Sequence, residues 1–201
     1  MITKEGTIGY LKGLGEVLLK IEATNAQGKS LGLERGFEEA IKIIVEQAGK
    51  RKKIIFIGNG GSAAIASHQS VDYWKNGGMR AIAFNDTSLL TCIGNDYGYQ
   101  YVFEKPTEMF ADPGDVMIAI SSSGKSDNIL NGVKMAKKKG LSAITMSGFK
   151  TDNPLRSLGD INFYVPAPTG AYGFVEIAHL TLCHCVIDAI IDRNLIKKTA
   201  P

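Results

Sequence analysis

The 201-residue sequence predicts an α/β fold: a three-layer sandwich whose central, parallel five-stranded sheet is flanked by helices and preceded by two N-terminal helices. Three observations carry that expectation. Short apolar runs recur after residue 50: KIIFIG (53–58), RAIAF (80–84), DVMIAIS (115–121), LSAITMS (141–147) and INFYVP (161–166). Helix-length stretches separate them. The runs lack polar alternation, so both of their faces are buried, as happens when helices cover a parallel sheet.

The elements follow in order. Ile8, Leu11, Leu14, Val17, Leu18 and Ile21 recur at helical spacing over residues 3–26. A polar turn (25–30) leads to a second stripe over 32–49, with Leu33, Phe37, Ala40, Ile41, Ile44 and Val45. Two such helices ahead of any strand cannot bury both stripes alone. They must pack on the rest of the chain or on copies of themselves. Helices are then expected at 62–76, about 87–110, 126–139 and 174–194. Residues 148–156 and 166–170 are the richest in helix and strand breakers. The chain reads as one domain over 1–201, with leading helices to residue 50 and the α/β core from 51.

Composition excludes several classes. With 44% hydrophobic and 21% charged residues the chain is neither disordered nor collagen-like. A net charge of +3 is too small to imply nucleic acid or a membrane surface as partner. The lysine clusters at 50–53, 137–139 and 197–198 read as solvated helix ends, and no aromatics interleave with them. Cys92, Cys183 and Cys185 form no metal-type pairs and suggest a reducing, cytoplasmic compartment. The first residues lack the apolar core of a secretory signal, and no 18-residue apolar run suggests a membrane span.

Chemistry concentrates where strands end. IIFIGNGGS (54–62) turns from a strand through Gly58-Asn59-Gly60-Gly61-Ser62 into a helix. Glycines there allow a tight turn and close approach of backbone N–H groups to a ligand. The loop is neither a dinucleotide fingerprint nor a Walker loop, so no nucleotide cofactor is expected. IAISSSGKS (118–126) places Ser121, Ser122, Ser123 and Ser126 at a second strand-to-helix turn. Ser126 can serve as helix cap or as ligand group, but three further hydroxyls exceed what capping needs. Two such turns in one sheet point to one anion, most simply a phosphomonoester.

Of the three histidines, His68 shares a helix face with Asp72 at i and i+4. Glu176 and His184 lie on the last helix. Two imidazoles and two carboxylates suit a divalent metal, zinc by preference, and the same groups suit acid–base catalysis without one. His179 reads as a packing residue or as a support behind the site residues, and stays outside the site. Asn95 and Asp96, in CIGNDYG (92–98), sit where glycines 94 and 98 break a helix.

Four motifs, in order and spacing, carry a resemblance that spans nearly the whole chain. GNGGSAA with His68 and Asp72, TCIGNDYGY (91–99), ISSSGKSDNI (120–129) and VEIAHLTLCHCVID (175–188) resemble the SIS (sugar isomerase) fold, and within it the phosphoheptose isomerase family. The resemblance implies that Asn59, Gly60, Gly61 and Ser62 contact substrate, with Asn95 and Asp96. It implies that Ser121, Ser122, Ser123 and Ser126 cradle phosphate, with Ser122 in place of a threonine. His68 matches a zinc ligand, Asp72 the position of the catalytic base and metal ligand, and His184 the acid–base histidine that also binds metal; Glu176 joins them as a further metal ligand and an alternative catalytic base. Family members are homotetramers with the N-terminal helices in a central bundle.

Two positions depart from that pattern: Asp72 stands where the family has glutamate, and Glu176 where it has glutamine. The activity implied is conversion of sedoheptulose 7-phosphate to D-glycero-D-manno-heptose 7-phosphate through an enediol. The rival expectations are another sugar phosphate, or a non-catalytic sugar-phosphate-binding scaffold.

Overall fold

The computed structural model describes residues 6–196; the lysine pair 197–198 lies outside them. The order is α1 (Gly6–Leu19), β1 (Glu22–Asn25), α2 (Leu33–Gly49), β2 (Lys53–Gly58), α3 (Gly61–Lys75), β3 (Arg80–Ala83), α4 (Thr87–Asp96), α5 (Glu104–Phe110), β4 (Val116–Ser121), α6 (Asp127–Lys138), β5 (Ser142–Gly148), β6 (Ile161–Val165) and α7 (Tyr172–Asp192). Single 3₁₀ turns occupy Tyr99–Tyr101 and Pro154–Ser157.

The five expected strands form a parallel array, and a sixth joins it. The sheet order is β1-β6-β5-β4-β2-β3, with β1 antiparallel to β6. β1 falls inside the segment expected to be helical to residue 26. Its sequence, EATN, carries no strand pattern. It extends because its backbone completes the edge of β6 and because Ala23, fully buried, seats against Gly36 of α2. Ile21, counted in the first helical stripe, instead turns into the core beyond the end of α1.

Side chains alternate along the strands into two cores. Ile54, Phe56, Ile118, Ile120 and Ile144 meet α2, α3 and α7. Ile55, Ile57, Met117, Ala119 and Ala143 meet α6 on the other face, with Val102, Phe103 and, from α4, Leu90 and Ile93. The division expected at residue 50 is not where the fold divides. α2 buries Ala40, Ile41 and Ile44 against the sheet and belongs to the core, whereas α1 has no buried residue.

The helix expected over 87–110 is two helices. Gly94 lies within α4, and the chain breaks at Gly98 (φ 104°). Pro106 cannot continue a helix from upstream, because it lacks an N–H and clashes with the preceding turn. The restart at Glu104 drives Val102 and Phe103 into the second core.

β2 and β4 are clasped at their starts. The buried Asp115 carboxylate accepts the Lys53 N–H (2.7 Å) and the Asp112 N–H (2.9 Å), and pairs with Lys53 Nζ at 2.9 Å. Lys53 is therefore not one of the solvated lysines expected at 50–53. Burial would lower its pKa, but the two aspartates raise it above the ordinary value.

α7 also corrects an expectation: over Tyr172–Asp192 it is long and apolar enough to cross a bilayer by length and composition. In the fold it is a central core helix, with Phe174, Val175, Ala178, Leu182, Val186, Ile187 and Ile190 buried. His179 lies among them, fully buried, its Nε2 3.2 Å from the Ser147 carbonyl. Burial lowers its pKa to about 4, although the Ser147 contact acts in the opposite direction. The unfolded chain binds this proton near pH 6.5 and the folded chain only near 4, so acidification across that window favours unfolding. Urea unfolding should therefore lose stability from pH 6.5 downward at up to about 1.4 kcal/mol per pH unit from this group. His179→Leu should flatten that part of the profile; an unchanged slope refutes the assignment.

Candidate active site

Strand order creates the site. β2 and β4 are neighbours, but the chain leaves β2 toward β3 and leaves β4 toward β5, in opposite directions. Their outgoing loops diverge and open a crevice at the carboxyl ends of the strands, where sheets of this kind bind ligands. The eight residues expected there, Asn59 to Ser62 and Ser121 to Ser123 with Ser126, line one cleft of about 240 Å³. Tyr172 and Glu176, from the first turns of α7, complete its wall.

Glycines fix the first loop. Gly60 adopts φ 54°, ψ −122°, a conformation costly for any residue with a Cβ. At Gly61 a Cβ would come within 2.5 Å of the Glu176 carboxylate. In the second loop Gly124 (φ 63°) leaves the space that the Asn153 side chain fills.

An amide pair ties the loops together. Asn59 Nδ2 donates to Asn128 Oδ1 at 2.9 Å, and Asn128 Nδ2 donates back to Asn59 Oδ1 at 2.8 Å. The Tyr99 hydroxyl donates to the same Asn59 oxygen at 3.2 Å. Asn128 is buried, and its Oδ1 also accepts the Ile129 N–H. The Asn59 amide, expected to face substrate, lines the cleft and also joins its two walls.

The hydroxyls divide by role. Ser121 Oγ accepts the Gly124 N–H at 3.2 Å, and Ser123 Oγ accepts the Lys125 N–H at 3.3 Å; each shapes the loop and keeps its own proton to donate. Ser126 occupies the N-cap position of α6, yet its hydroxyl makes no capping bond. Ser122 Oγ is buried without a partner among the described residues. α3, α6 and α7 all begin at this cleft, and none has a side-chain cap. Three sets of free helix N–H groups and their dipoles favour an anion.

The imidazole cluster lies deeper along α3 and α7, which pack together. Ligand atoms of His68, Asp72 and His184 all fall within 4.8 Å of one another. His68 Nε2 is 3.3 Å from Asp72 Oδ2, and the two histidine rings are 5.7 Å apart. Two imidazoles and a carboxylate fit zinc, in the three-ligand form that leaves a position for water or substrate. Glu176, expected as a fourth ligand, stays apart from this cluster. It precedes His184 by eight residues on α7, about 12 Å along a helix axis.

Asn95 and Asp96 also stay apart, at the exposed end of α4. Asn95 Nδ2 donates to Asp96 Oδ1 at 2.8 Å, and Asp96 accepts from the Cys92 thiol. Tyr172, Tyr99, Asn128 and Gln69 were not foreseen. Each reaches the site by a contact between elements distant in sequence, which no local pattern signals.

A model of the SIS domain family matches residues 10–148. The phosphoheptose isomerase of Aliarcobacter butzleri strain RM4018 is 40% identical over 169 residues, covering 81% of this chain and 87% of that protein. Among solved structures, phosphoheptose isomerase from Neisseria gonorrhoeae is similar with a TM-score of 0.79 and 29% identity, covering 93% of this chain and 98% of that one. The one from Francisella tularensis gives 0.80 and 25%, covering 96% and 100%.

Ser122 separates affinity from stability. A buried hydroxyl without a partner is destabilising until an anion accepts from it. Ser122→Ala should weaken inorganic phosphate binding about tenfold in calorimetry. It should also raise the ligand-free unfolding midpoint by a few degrees. A variant that loses stability with phosphate affinity intact contradicts this role.

Proposed function

The chain belongs to the SIS-domain family and, within it, to the phosphoheptose isomerases; from that membership and the geometry of the cleft we propose that it converts D-sedoheptulose 7-phosphate to D-glycero-D-manno-heptose 7-phosphate, as an aldose–ketose isomerase for heptose-containing glycan synthesis. One observation carries the proposal. An anion cleft and a proton-transfer cluster share the same two helices. Ser62 precedes His68 by six residues on α3, about 9 Å along the axis, and Glu176 precedes His184 by about 12 Å on α7. That spacing suits a phosphosugar with phosphate at one end of its chain and carbonyl at the other.

The hydroxyls and helix N-termini hold the phosphate, and this remote binding energy places C1 and C2 at the cluster. Asp72 takes the proton from one carbon and returns it to the other, passing through a cis-enediol. His68, 3.3 Å away, orients that carboxylate. His184 carries protons to and from O1 and O2. His68, Asp72 and His184 are the residues that would hold zinc, which when bound supplies a Lewis acid for the carbonyl oxygen. Glu176, against Gly61, lies on the phosphate side of the cleft, apart from the cluster that receives C1 and C2.

The exposed Ile8, Leu11 and Leu19 of α1 support a homotetramer with α1 at its interfaces. The free thiols of Cys92, Cys183 and Cys185 support a cytoplasmic setting. The shorter acid at 72 and the extra acid at 176 favour a second reading, in which the same reaction acts on a different phosphorylated sugar.

The experiment is incubation with sedoheptulose 7-phosphate and a panel of pentose and hexose phosphates in deuterium oxide, with and without zinc. Conversion with deuterium entering at C2 is expected. His184→Ala should lower kcat at least about a hundredfold with phosphate affinity retained. No exchange on any of these sugars, in protein that still binds phosphate, leaves a sensor or scaffold and refutes the isomerase. Conversion of a pentose or hexose phosphate alone moves the assignment to that sugar.

A further inference from the structure

We infer that Gln69 is a positioning residue that fixes the ring and tautomer of His184, an inference that rests on the proton-carrying role proposed for that histidine. Gln69 follows His68 on α3 but points inward, and it is fully buried. Its amide Nε2 lies 3.1 Å from His184 Nε2, while its Oε1 has no partner among the described residues. A buried amide half satisfied in this way is destabilising, and an unbranched apolar side chain would fill the same space without that cost. The contact with His184 gives the amide its use.

The imidazole has two nitrogens. With Nε2 held against Gln69, Nδ1 is the one left, for substrate oxygens in the metal-free site and for zinc if the metal is bound. To take up a proton and return it, Nδ1 needs a lone pair in the neutral ring, so the proton of the neutral ring resides on Nε2. Nε2–H is then present in both the neutral and the charged ring, and it requires an acceptor throughout. A half-turn of the Gln69 amide presents Oε1 to it, the two ends of an amide being nearly alike in shape. The neutral amide fixes ring orientation without adding charge beside Asp72.

The test uses the full chain, labelled with ¹⁵N-histidine and freed of metal. Three histidines make the spectrum simple, and loss of one signal set in His184→Ala assigns it. Long-range ¹H–¹⁵N spectra in mildly alkaline buffer should show His184 as a single Nε2–H tautomer. Gln69→Met should show a tautomer mixture. The same variant should lose about ten- to a hundredfold in kcat on sedoheptulose 7-phosphate, with KM within about twofold and no loss of thermal midpoint. A wild-type spectrum without Nε2–H preference overturns the assignment, even if the variant fails to fold. So does a Gln69→Met protein with unchanged tautomer and kcat. A tautomer effect in a protein that isomerises no sugar phosphate leaves Gln69 standing and removes the isomerase reading. An active wild type with an unaffected variant removes Gln69 alone.

Discussion

The pairing of β2 with β4 is the constraint from which the rest of the site follows. Their register, from Ile54 against Val116 to Gly58 against Ile120, brings both strand ends to the same level. The Asp115–Lys53 clasp fixes their starts. Because the chain departs from them in opposite directions, the space above the strand ends stays open. A sheet of the same strands in sequential order would route a connection through that space.

The crevice then has to hold its shape without filling. The reciprocal Asn59–Asn128 amide pair joins the two walls, so each loop sets the position of the other. Gly61 lets the Glu176 carboxylate lie against the α3 backbone. Ser122 and Gln69 remain incompletely satisfied. Both are destabilising features of the free protein; Ser122 lines the cleft and Gln69 meets His184. α3 and α7 carry the arrangement from end to end, with N–H groups at the cleft and imidazoles two turns further in.

Much of this was legible in the residues themselves. The apolar runs of β2, β4, β5 and β6 have no other stable use than strands covered on both faces, and the glycine and serine loops follow two of them directly. His68 and Asp72 share a face by helical geometry alone. What escaped was set by partners. EATN became a strand because β6 had an open edge, and the helix expected over 87–110 split because Pro106 and the second core required it. Glu176 was grouped with the histidines because spacing along α7 does not show that its side chain meets the first turn of α3 rather than His68 and Asp72.

The sequence by itself determined the fold class, the place of the cleft at two strand ends and the shared helix face of His68 and Asp72, because periodicity and strand-end chemistry are local properties. Only the tertiary structure decided that Asn59 braces a wall, that Asn95 and Asp96 engage one another, that α2 is core while α1 is exposed, and that Gln69 faces His184. Asn59 meets Asn128 across 69 residues of chain and Gln69 meets His184 across 115, and such meetings leave no periodic trace in the sequence.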